Sequence, residues 1–231
     1  MIPPETIAAS LAEIHRRIVA AAASCGRPAG DIGLVAVSKT QPPEAIEAAI
    51  AAGQMLFGEN RVQEAAAKFP ALCQRHPGVR LHLIGPLQTN KIRDAVALFD
   101  AIETVDREKL ARGLAAEMAR SGRRPDCLIQ VNIGHEPQKA GVLPAALAGL
   151  VALCRDELAL PLTGLMAIPP VDQPAAPHFA KLAELASRHR LPALSMGMSA
   201  DFEAAIRAGA TLVRVGSAIF GERPAPDPGP G

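Results

Sequence analysis

Residues 33–53, GLVAVSKTQPPEAIEAAIAAG, contain the pattern that decides the fold. The run Gly33–Ser38 is short, apolar and rich in valine, which is typical of a strand buried on both faces. The alanine-rich segment Pro43–Ala52 has the pattern of a helix, and Gly53 stands where helices commonly end. The stretch therefore predicts a strand followed by a helix, with Lys39 at the end of the strand.

The same unit of strand and helix recurs along the chain. Seven further apolar runs are predicted as strands, at Met55–Gly58, Arg80–Ile84, Ala101–Thr104, Cys127–Asn132, Leu162–Met166, Ala193–Met196 and Thr211–Val215. Helical patterns separate or follow them at Val62–Cys73, Lys91–Leu98, Arg107–Arg120, Leu143–Arg155, Ala176–His189 and Ala200–Ala208. Ahead of the first strand, Pro4–Ser24 predicts an amphipathic helix with one apolar stripe, formed by Ile7, Leu11, Ile14 and Ile18.

Eight strands, each followed by a helix, predict a single-domain (β/α)8 TIM barrel with an extra N-terminal helix. A doubly wound open sheet fits the same spacing, because spacing does not show whether a sheet closes. No low-complexity linker divides the chain, so we assign residues 1–223 to the barrel. Residues 224–231 are rich in proline and glycine and are expected to form a disordered tail.

Composition excludes several classes of function. The net charge is +1, which gives no reason to expect nucleic acid or an anionic membrane surface as a partner. The chain has no Trp and no Tyr, so base-stacking surfaces are not expected, and its four Cys and six His have no zinc-like spacing. No apolar run of about 18 residues is present to span a membrane, and charged residues interrupt the apolar N-terminal stretch. We therefore expect a cytoplasmic protein without a metal site.

The loops after the last two strands have the composition of a phosphate site. In TIM barrels the functional site lies at the carboxyl ends of the strands, and these two loops commonly hold phosphate. GMS, residues 197–199, follows the seventh strand, and GSA, residues 216–218, follows the eighth. Glycine lets the backbone approach an anion, while serine hydroxyls and the N–H groups at a helix start donate to it. Each loop also has a simpler explanation, with Ser199 as a helix N-cap and Gly216 as a tight turn.

Lys39 and Arg214 add two reactive or charged groups to the same end of the barrel. A lysine desolvated at the barrel mouth becomes a neutral, nucleophilic amine, so Lys39 beside a phosphate site indicates a Schiff base with a phosphorylated aldehyde. A lysine that reaches solvent or pairs with Glu59 is the simpler alternative. Arg214 lies two residues before Gly216 and projects to the same face, where it either contacts a cofactor ring nitrogen or forms a buried salt bridge.

Asn60 follows the second strand and has two interpretations. It contacts the cofactor, or it caps a helix that starts at Arg61, with Gln63 three residues further on.

Six segments together are similar to one known family. They are AVSKT (36–40), FGENRVQE (57–64), HLIGPLQTNK (82–91), GLMAIP (164–169), LSMGMSADFEAAI (194–206) and VRVGSAIFGE (213–222). In this combination and order they resemble the pyridoxal phosphate homeostasis protein family, whose members are similar to the barrel domain of alanine racemase standing alone.

The resemblance implies a cofactor and roles for nine residues. It implies that Lys39 holds pyridoxal 5'-phosphate as a Schiff base and that Arg214 faces the ring nitrogen. The phosphate would be held by Ser199, Gly216 and Ser217, and four further residues would lie close to the cofactor, namely Asn60, Ser195, Met196 and Met198. The implied role is non-catalytic, in intracellular vitamin B6 and amino-acid or keto-acid homeostasis. With this role we expect that apoenzymes dependent on pyridoxal phosphate receive the cofactor. We also expect the protein to be a monomer.

Three other functions remain as alternatives at this point. An amino-acid racemase of the same barrel type needs a second acid/base, which in alanine racemases is a tyrosine, and this chain has none. A Schiff-base aldolase would use Lys39 without a cofactor, and a structural barrel would hold no ligand. The chain also departs from the family pattern, since Gln41 stands where a second lysine is common, Arg61 replaces a tyrosine and Ser217 replaces a threonine.

Overall fold

A computed structural model describes residues 3–221, in which eight parallel strands form a closed barrel in chain order. The last strand pairs with the first through the register Val35 with Arg214 and Ala36 with Val215. The predicted TIM barrel is therefore confirmed, and the open-sheet alternative is wrong. The predicted tail, residues 224–231, lies outside the described residues.

The strands and helices alternate as the sequence pattern predicts. The strands are β1 Gly33–Val37, β2 Leu56–Glu59, β3 Arg80–Leu83, β4 Ala101–Val105, β5 Asp126–Gln130, β6 Leu162–Met166, β7 Ala193–Ser195 and β8 Leu212–Val215. The helices are α1 Pro4–Ser24, α2 Pro43–Ala51, α3 Val62–Arg75, α4 Ile92–Leu98, α5 Glu108–Ser121, α6 Leu147–Ala152, α7 Ala175–His189, α8 Phe202–Arg207 and α9 Ser217–Phe220. Each predicted strand agrees with the observed one to within two residues at either end.

Two predicted helices differ from the structure. Residues predicted as one helix, Leu143–Arg155, form a 3-10 turn at Pro144–Ala146, then α6, then a π-helical turn at Leu153–Glu157. The helix predicted over Ala200–Ala208 begins later, at Phe202, because residues 198–201 form a turn of their own. In that turn the Asp201 carboxylate accepts a 2.6 Å hydrogen bond from the Met198 N–H.

The extra helix α1 lies outside the barrel and packs against α2, α8 and α9. Its predicted apolar stripe is buried, with each of the four side chains 3% exposed or less. Burial of one such side chain contributes about 1.5–3 kcal/mol before the loss of entropy is counted. Because α2 follows β1 while α8 and α9 follow β7 and β8, α1 covers the line along which the barrel closes.

Strand residues alternate between the helix layer and the barrel interior. Phe57 faces the helices, with its ring centroid 5.9 Å from that of Phe69 in α3. The adjacent Gly58 faces inward, since a Cβ atom there would come within 2.8 Å of the Val35 side chain. Within residues 3–221 no helix has the length and apolar character needed to cross a membrane.

Candidate functional site

A pocket of about 320 Å³ opens at the carboxyl ends of β1, β7 and β8. Six of the nine predicted cofactor residues line it, namely Lys39, Met198, Ser199, Arg214, Gly216 and Ser217. Gln41 lines it as well, so the position where the family commonly has a second lysine is part of this wall. The structure therefore brings together most of the predicted residues, and their roles toward a ligand stay predictions.

The loops after β7 and β8 meet at two serine hydroxyls. The Ser217 Oγ donates to the Ser199 Oγ over 3.3 Å, although the two residues are 18 positions apart. Ser217 is the first residue of α9, and its N–H and that of Ala218 precede the first bonds of the helix, which the Ile219 and Phe220 N–H groups donate to the Gly216 carbonyl. A pair of hydroxyls beside such N–H groups is a set of donors suited to an anion.

The simpler explanation of Ser199 as a helix N-cap is wrong. Helix α8 begins at Phe202, and its N-cap position is held by Asp201. The Ser199 side chain instead contacts Ser217 across the pocket wall. Gly216 occupies the N-cap position of α9, and a Cβ atom there would lie 3.3 Å from the carbonyl oxygen of Val37. Glycine at this position keeps the backbones of β1 and β8 close together beneath the pocket.

The loop after β7 also depends on a glycine with positive φ, and this leads to a prediction. Gly197 has φ +91°, and an added Cβ would lie 2.5 Å from that of Ala205. We expect Gly197→Ala to lower the free energy of unfolding by about 2–3 kcal/mol, through backbone strain and overpacking together. Gly53→Ala is a matched control, because Gly53 has φ +93° and no atom within 4 Å of the added Cβ. Urea unfolding measures the free energy of unfolding of both variants. If both lose the same amount, overpacking against Ala205 contributes nothing.

Arg214 is almost fully buried, and three neighbouring residues contact its guanidinium group. Its Nη1 donates to the Ser195 Oγ at 2.6 Å, and its Nη2 donates to the carbonyl oxygen of Ala167 at 2.9 Å. The Glu103 carboxylate lies 4.0 Å from Nη1. Burial lowers the pKa of Arg214, while the charge of Glu103 opposes this. The predicted buried ion pair is therefore present, and the same guanidinium also lines the pocket.

Glu103 and His82 extend this network across the barrel interior. The Ser195 Oγ donates to one Glu103 oxygen at 2.5 Å, and the His82 Nδ1 lies 2.7 Å from the other. Burial acts to raise the pKa of Glu103, but the hydrogen bond and charge of His82, with Arg214 and Ser195, outweigh it and leave the pKa below its ordinary value. Glu103 is thus an ionised carboxylate that offsets the charge of Arg214.

Lys39 lies in a short loop after β1, at the pocket wall. The carboxylate considered as its alternative partner, Glu59, forms an ion pair with Lys68 of α3 at 2.6 Å. Glu59 also accepts a hydrogen bond from the Ser38 Oγ at 2.8 Å. Ser38, the residue directly before Lys39, is thereby attached to Glu59 at the end of β2.

Three of the predicted residues lie outside the pocket wall. Ser195 is fully buried behind Arg214, so it contacts the guanidinium and not the pocket. Met196 is buried with an exposed fraction of 0%. Asn60 lines a separate groove with Leu87 and Lys91, and it is not the helix cap, because α3 begins at Val62 with Arg61 in the cap position.

Comparison with known proteins identifies the family. The profile of the alanine racemase N-terminal domain matches residues 10–224. A pyridoxal phosphate homeostasis protein of Vibrio cholerae is 43% identical over 228 residues, covering 94% of this chain and 97% of that protein. The chain belongs to the pyridoxal phosphate homeostasis protein family. The resemblance drawn from the six sequence segments is confirmed.

Solved structures of another protein, PipY of Synechococcus elongatus, are similar to this chain over its length. PipY without pyridoxal phosphate has a TM-score of 0.83 at 40% identity, covering 93% of this chain and all of the PipY chain. PipY with pyridoxal phosphate bound has a TM-score of 0.77 at 39% identity and the same coverage. A protein 39% identical to this chain and similar in fold has therefore been described with pyridoxal phosphate bound.

Proposed function

We propose that this protein binds pyridoxal 5'-phosphate between β1, β7 and β8 and holds it as a Schiff base on Lys39, without turning over a substrate. One observation carries the proposal. Lys39, Arg214 and the Ser199–Ser217 hydroxyl pair line a single pocket, although they come from opposite ends of the chain. The cofactor bound to PipY and the names of the relatives support the same ligand.

The residues of the pocket fit three of the polar groups of this cofactor, namely its phosphate, its aldehyde and its ring nitrogen. Hydroxyls of Ser199 and Ser217 suit the phosphate, and Gly216 lies beside them in the pocket wall. The amine of Lys39 suits the aldehyde, and the guanidinium of Arg214 suits the ring nitrogen. The pocket therefore offers a donor or a nucleophile for each of these three groups.

The protein's own residues favour holding over catalysis. When bound, pyridoxal phosphate supplies an aldehyde and a ring able to withdraw electrons. Arg214 keeps its proton and can only donate, so a ring nitrogen beside it stays unprotonated and withdraws electrons weakly. Glu103 and Ser195 keep the guanidinium in this orientation. The chain also has no tyrosine to act as the second acid/base of a racemase.

The proposed role is to store and deliver the cofactor in vitamin B6 and amino-acid or keto-acid homeostasis. Apoenzymes that require pyridoxal phosphate are the proposed recipients, and the protein is proposed to act as a monomer. We propose a cytoplasmic location, which is supported by the four free cysteines, two of them buried, because thiols persist in a reducing compartment.

The absorbance of the protein tests the covalent part of the proposal. We expect the purified protein with pyridoxal phosphate to absorb in the near-visible and borohydride to fix the cofactor on Lys39. Peptide mapping after reduction identifies the labelled lysine. Pyridoxal without phosphate should bind more weakly, because it lacks the group that Ser199 and Ser217 would hold. A label on another lysine, or a colourless protein, would exclude this assignment.

A further inference from the structure

Lys68 of α3 is a buried lysine whose ammonium group contacts both ends of the Lys39 loop. Its side chain is 9% exposed. The Nζ donates to the carbonyl oxygen of Ser38 at 3.0 Å and lies 3.4 Å from that of Gln41. Residues 38–41, which include Lys39, are therefore attached to α3 through one nitrogen atom.

Two carboxylates complete this attachment, and we call the three side chains Lys68, Glu59 and Glu64 the loop clamp. Glu59 and Glu64 each place an oxygen within 2.9 Å of the Lys68 Nζ. Together with the Ser38 carbonyl oxygen they provide one acceptor for each of the three N–H donors of the ammonium group. Glu59 also accepts from the Ser38 Oγ, and Glu64 accepts from the Thr40 N–H at 2.5 Å. Each residue flanking Lys39 thus has at least one bond to the clamp.

The backbone that the clamp holds has an uncommon conformation. Thr40 has φ +64°, in the left-handed region that β-branched residues rarely adopt. Such a conformation persists only where surrounding contacts impose it. The hydrogen bond from the Thr40 N–H to Glu64 and the bond from the Gln41 N–H to the Ser38 carbonyl are contacts of this kind. The turn that follows Lys39 therefore depends on the loop clamp.

The charges of the clamp are a poor means of stabilising a barrel. Glu59 is fully buried, one of its oxygens has no hydrogen-bond partner among the described residues, and burial raises its pKa. Buried ion pairs of this kind can often be replaced by apolar side chains without loss of stability. A charged cluster at this position is better explained by the geometry that it imposes on the loop.

We propose that Lys68 is a positioning residue, which fixes the Ser38–Gln41 loop so that the Lys39 amine faces the pocket. Lys68 acts through the loop backbone and does not touch the ligand. This inference rests on the proposed function, since it concerns the reaction of Lys39 with an aldehyde. It predicts that losing the clamp slows the covalent step more than it weakens non-covalent binding.

The test separates these two steps with two ligands. Pyridoxine 5'-phosphate has the phosphate and the ring but no aldehyde, so its dissociation constant reports the pocket without the covalent bond. Pyridoxal 5'-phosphate condenses with the amine of Lys39 and releases one water, and the near-visible absorbance gives the rate constant of that step in stopped flow. For Lys68→Met we expect that rate constant to fall by about tenfold to hundredfold, as for a misplaced reacting group. The dissociation constant for pyridoxine 5'-phosphate should change by less than about threefold, which is under 0.7 kcal/mol.

Control variants distinguish positioning from a general loss of stability. Lys139→Met is matched, because the Lys139 Nζ also donates to a carbonyl oxygen, that of Pro169 at 2.9 Å, and pairs with Glu136 at 2.6 Å. It should leave both constants unchanged. Lys68→Arg retains donors and charge and should recover part of the rate. Hydrogen exchange of the Thr40 and Gln41 amides should accelerate in Lys68→Met and stay unchanged in Lys139→Met.

Each outcome bears on one proposal. If the native protein reacts with pyridoxal phosphate and Lys68→Met reacts at the same rate, the positioning role is wrong while the proposed function stands. If the native protein does not react, the proposed function is wrong, and the inference falls with it. Should Lys68→Met fail to fold, Glu64→Gln carries the test, since it weakens only the bonds to Lys68 and Thr40 from a partly exposed side chain. It should slow the covalent step, and an unchanged rate would overturn the inference.

Discussion

Lys39→Ala is expected to abolish the near-visible absorbance and the borohydride-stable label while keeping affinity for the phosphate-bearing ligand. The amine is the only part of the pocket that the substitution removes. The hydroxyl pair of Ser199 and Ser217 and the guanidinium of Arg214 stay in place. Calorimetric titration with pyridoxine 5'-phosphate should give a dissociation constant within about tenfold of the native value, a change of about 1.4 kcal/mol at most.

A control for this experiment is Lys181→Ala, which removes an exposed lysine of α7 paired with Glu184. It should keep both the absorbance and the label. Retention of the label in Lys39→Ala would show that another lysine reacts. Equal affinity for pyridoxal with and without its phosphate would contradict the role given to the loops after β7 and β8.

Glu103→Ala is expected to lower the free energy of unfolding by about 3–5 kcal/mol, because it leaves the charge of Arg214 buried without its carboxylate. The bonds from Ser195 and His82 are lost in the same substitution. Urea unfolding followed by circular dichroism measures the change. Glu184→Ala, which breaks exposed ion pairs with Lys181 and Arg188, should have no measurable effect. If Glu103→Ala lowers the free energy of unfolding as little as Glu184→Ala does, Arg214 does not need the Glu103 carboxylate.

The pKa of Glu103 gives the same experiment a pH dependence. Because the folded protein holds this pKa below the ordinary value of 4.5, ionised Glu103 stabilises the fold above that pH. The stabilisation is lost as the pH falls from 4.5 through the lowered pKa. Glu103→Gln, which has no carboxyl to titrate, should therefore lose less stability than the native protein over that interval. The raised pKa of Glu59 acts in the opposite direction, but it is common to both proteins.

The fold and much of the pocket could be predicted from the sequence because both depend on local patterns. Buried strands and Ala-rich helices have distinct periods, and the carboxyl ends of barrel strands meet at one face. That rule alone places Lys39 near Ser199 and Gly216. The exact start of α8 could not be predicted, because it depends on the turn that Asp201 closes with Met198.

The roles of the buried charges Glu103 and Lys68 could not be predicted, since their partners come from other parts of the chain. Glu103 stands out in the apolar run AIETV, which indicates a buried carboxylate but not its partner. Ser195, which donates to it, is 92 residues away. In the sequence, Lys68 looks like any solvent-exposed lysine of a helix. Only the packing of α3 against β2 shows that its side chain is buried.

The closure of the barrel between β8 and β1 has a consequence for how the protein is made. The pocket lies on this line, with Lys39 supplied early in synthesis and Ser199, Arg214 and Ser217 supplied late. Helix α1 is synthesised well before α8 and α9, so its apolar stripe is fully covered only after both have been made. A nascent chain that lacks β8 therefore contains Lys39 and Ser199 but not yet Arg214 and Ser217. If the protein binds the cofactor as we propose, the complete set of groups for it is assembled only once β8 and the loop that follows it have been synthesised.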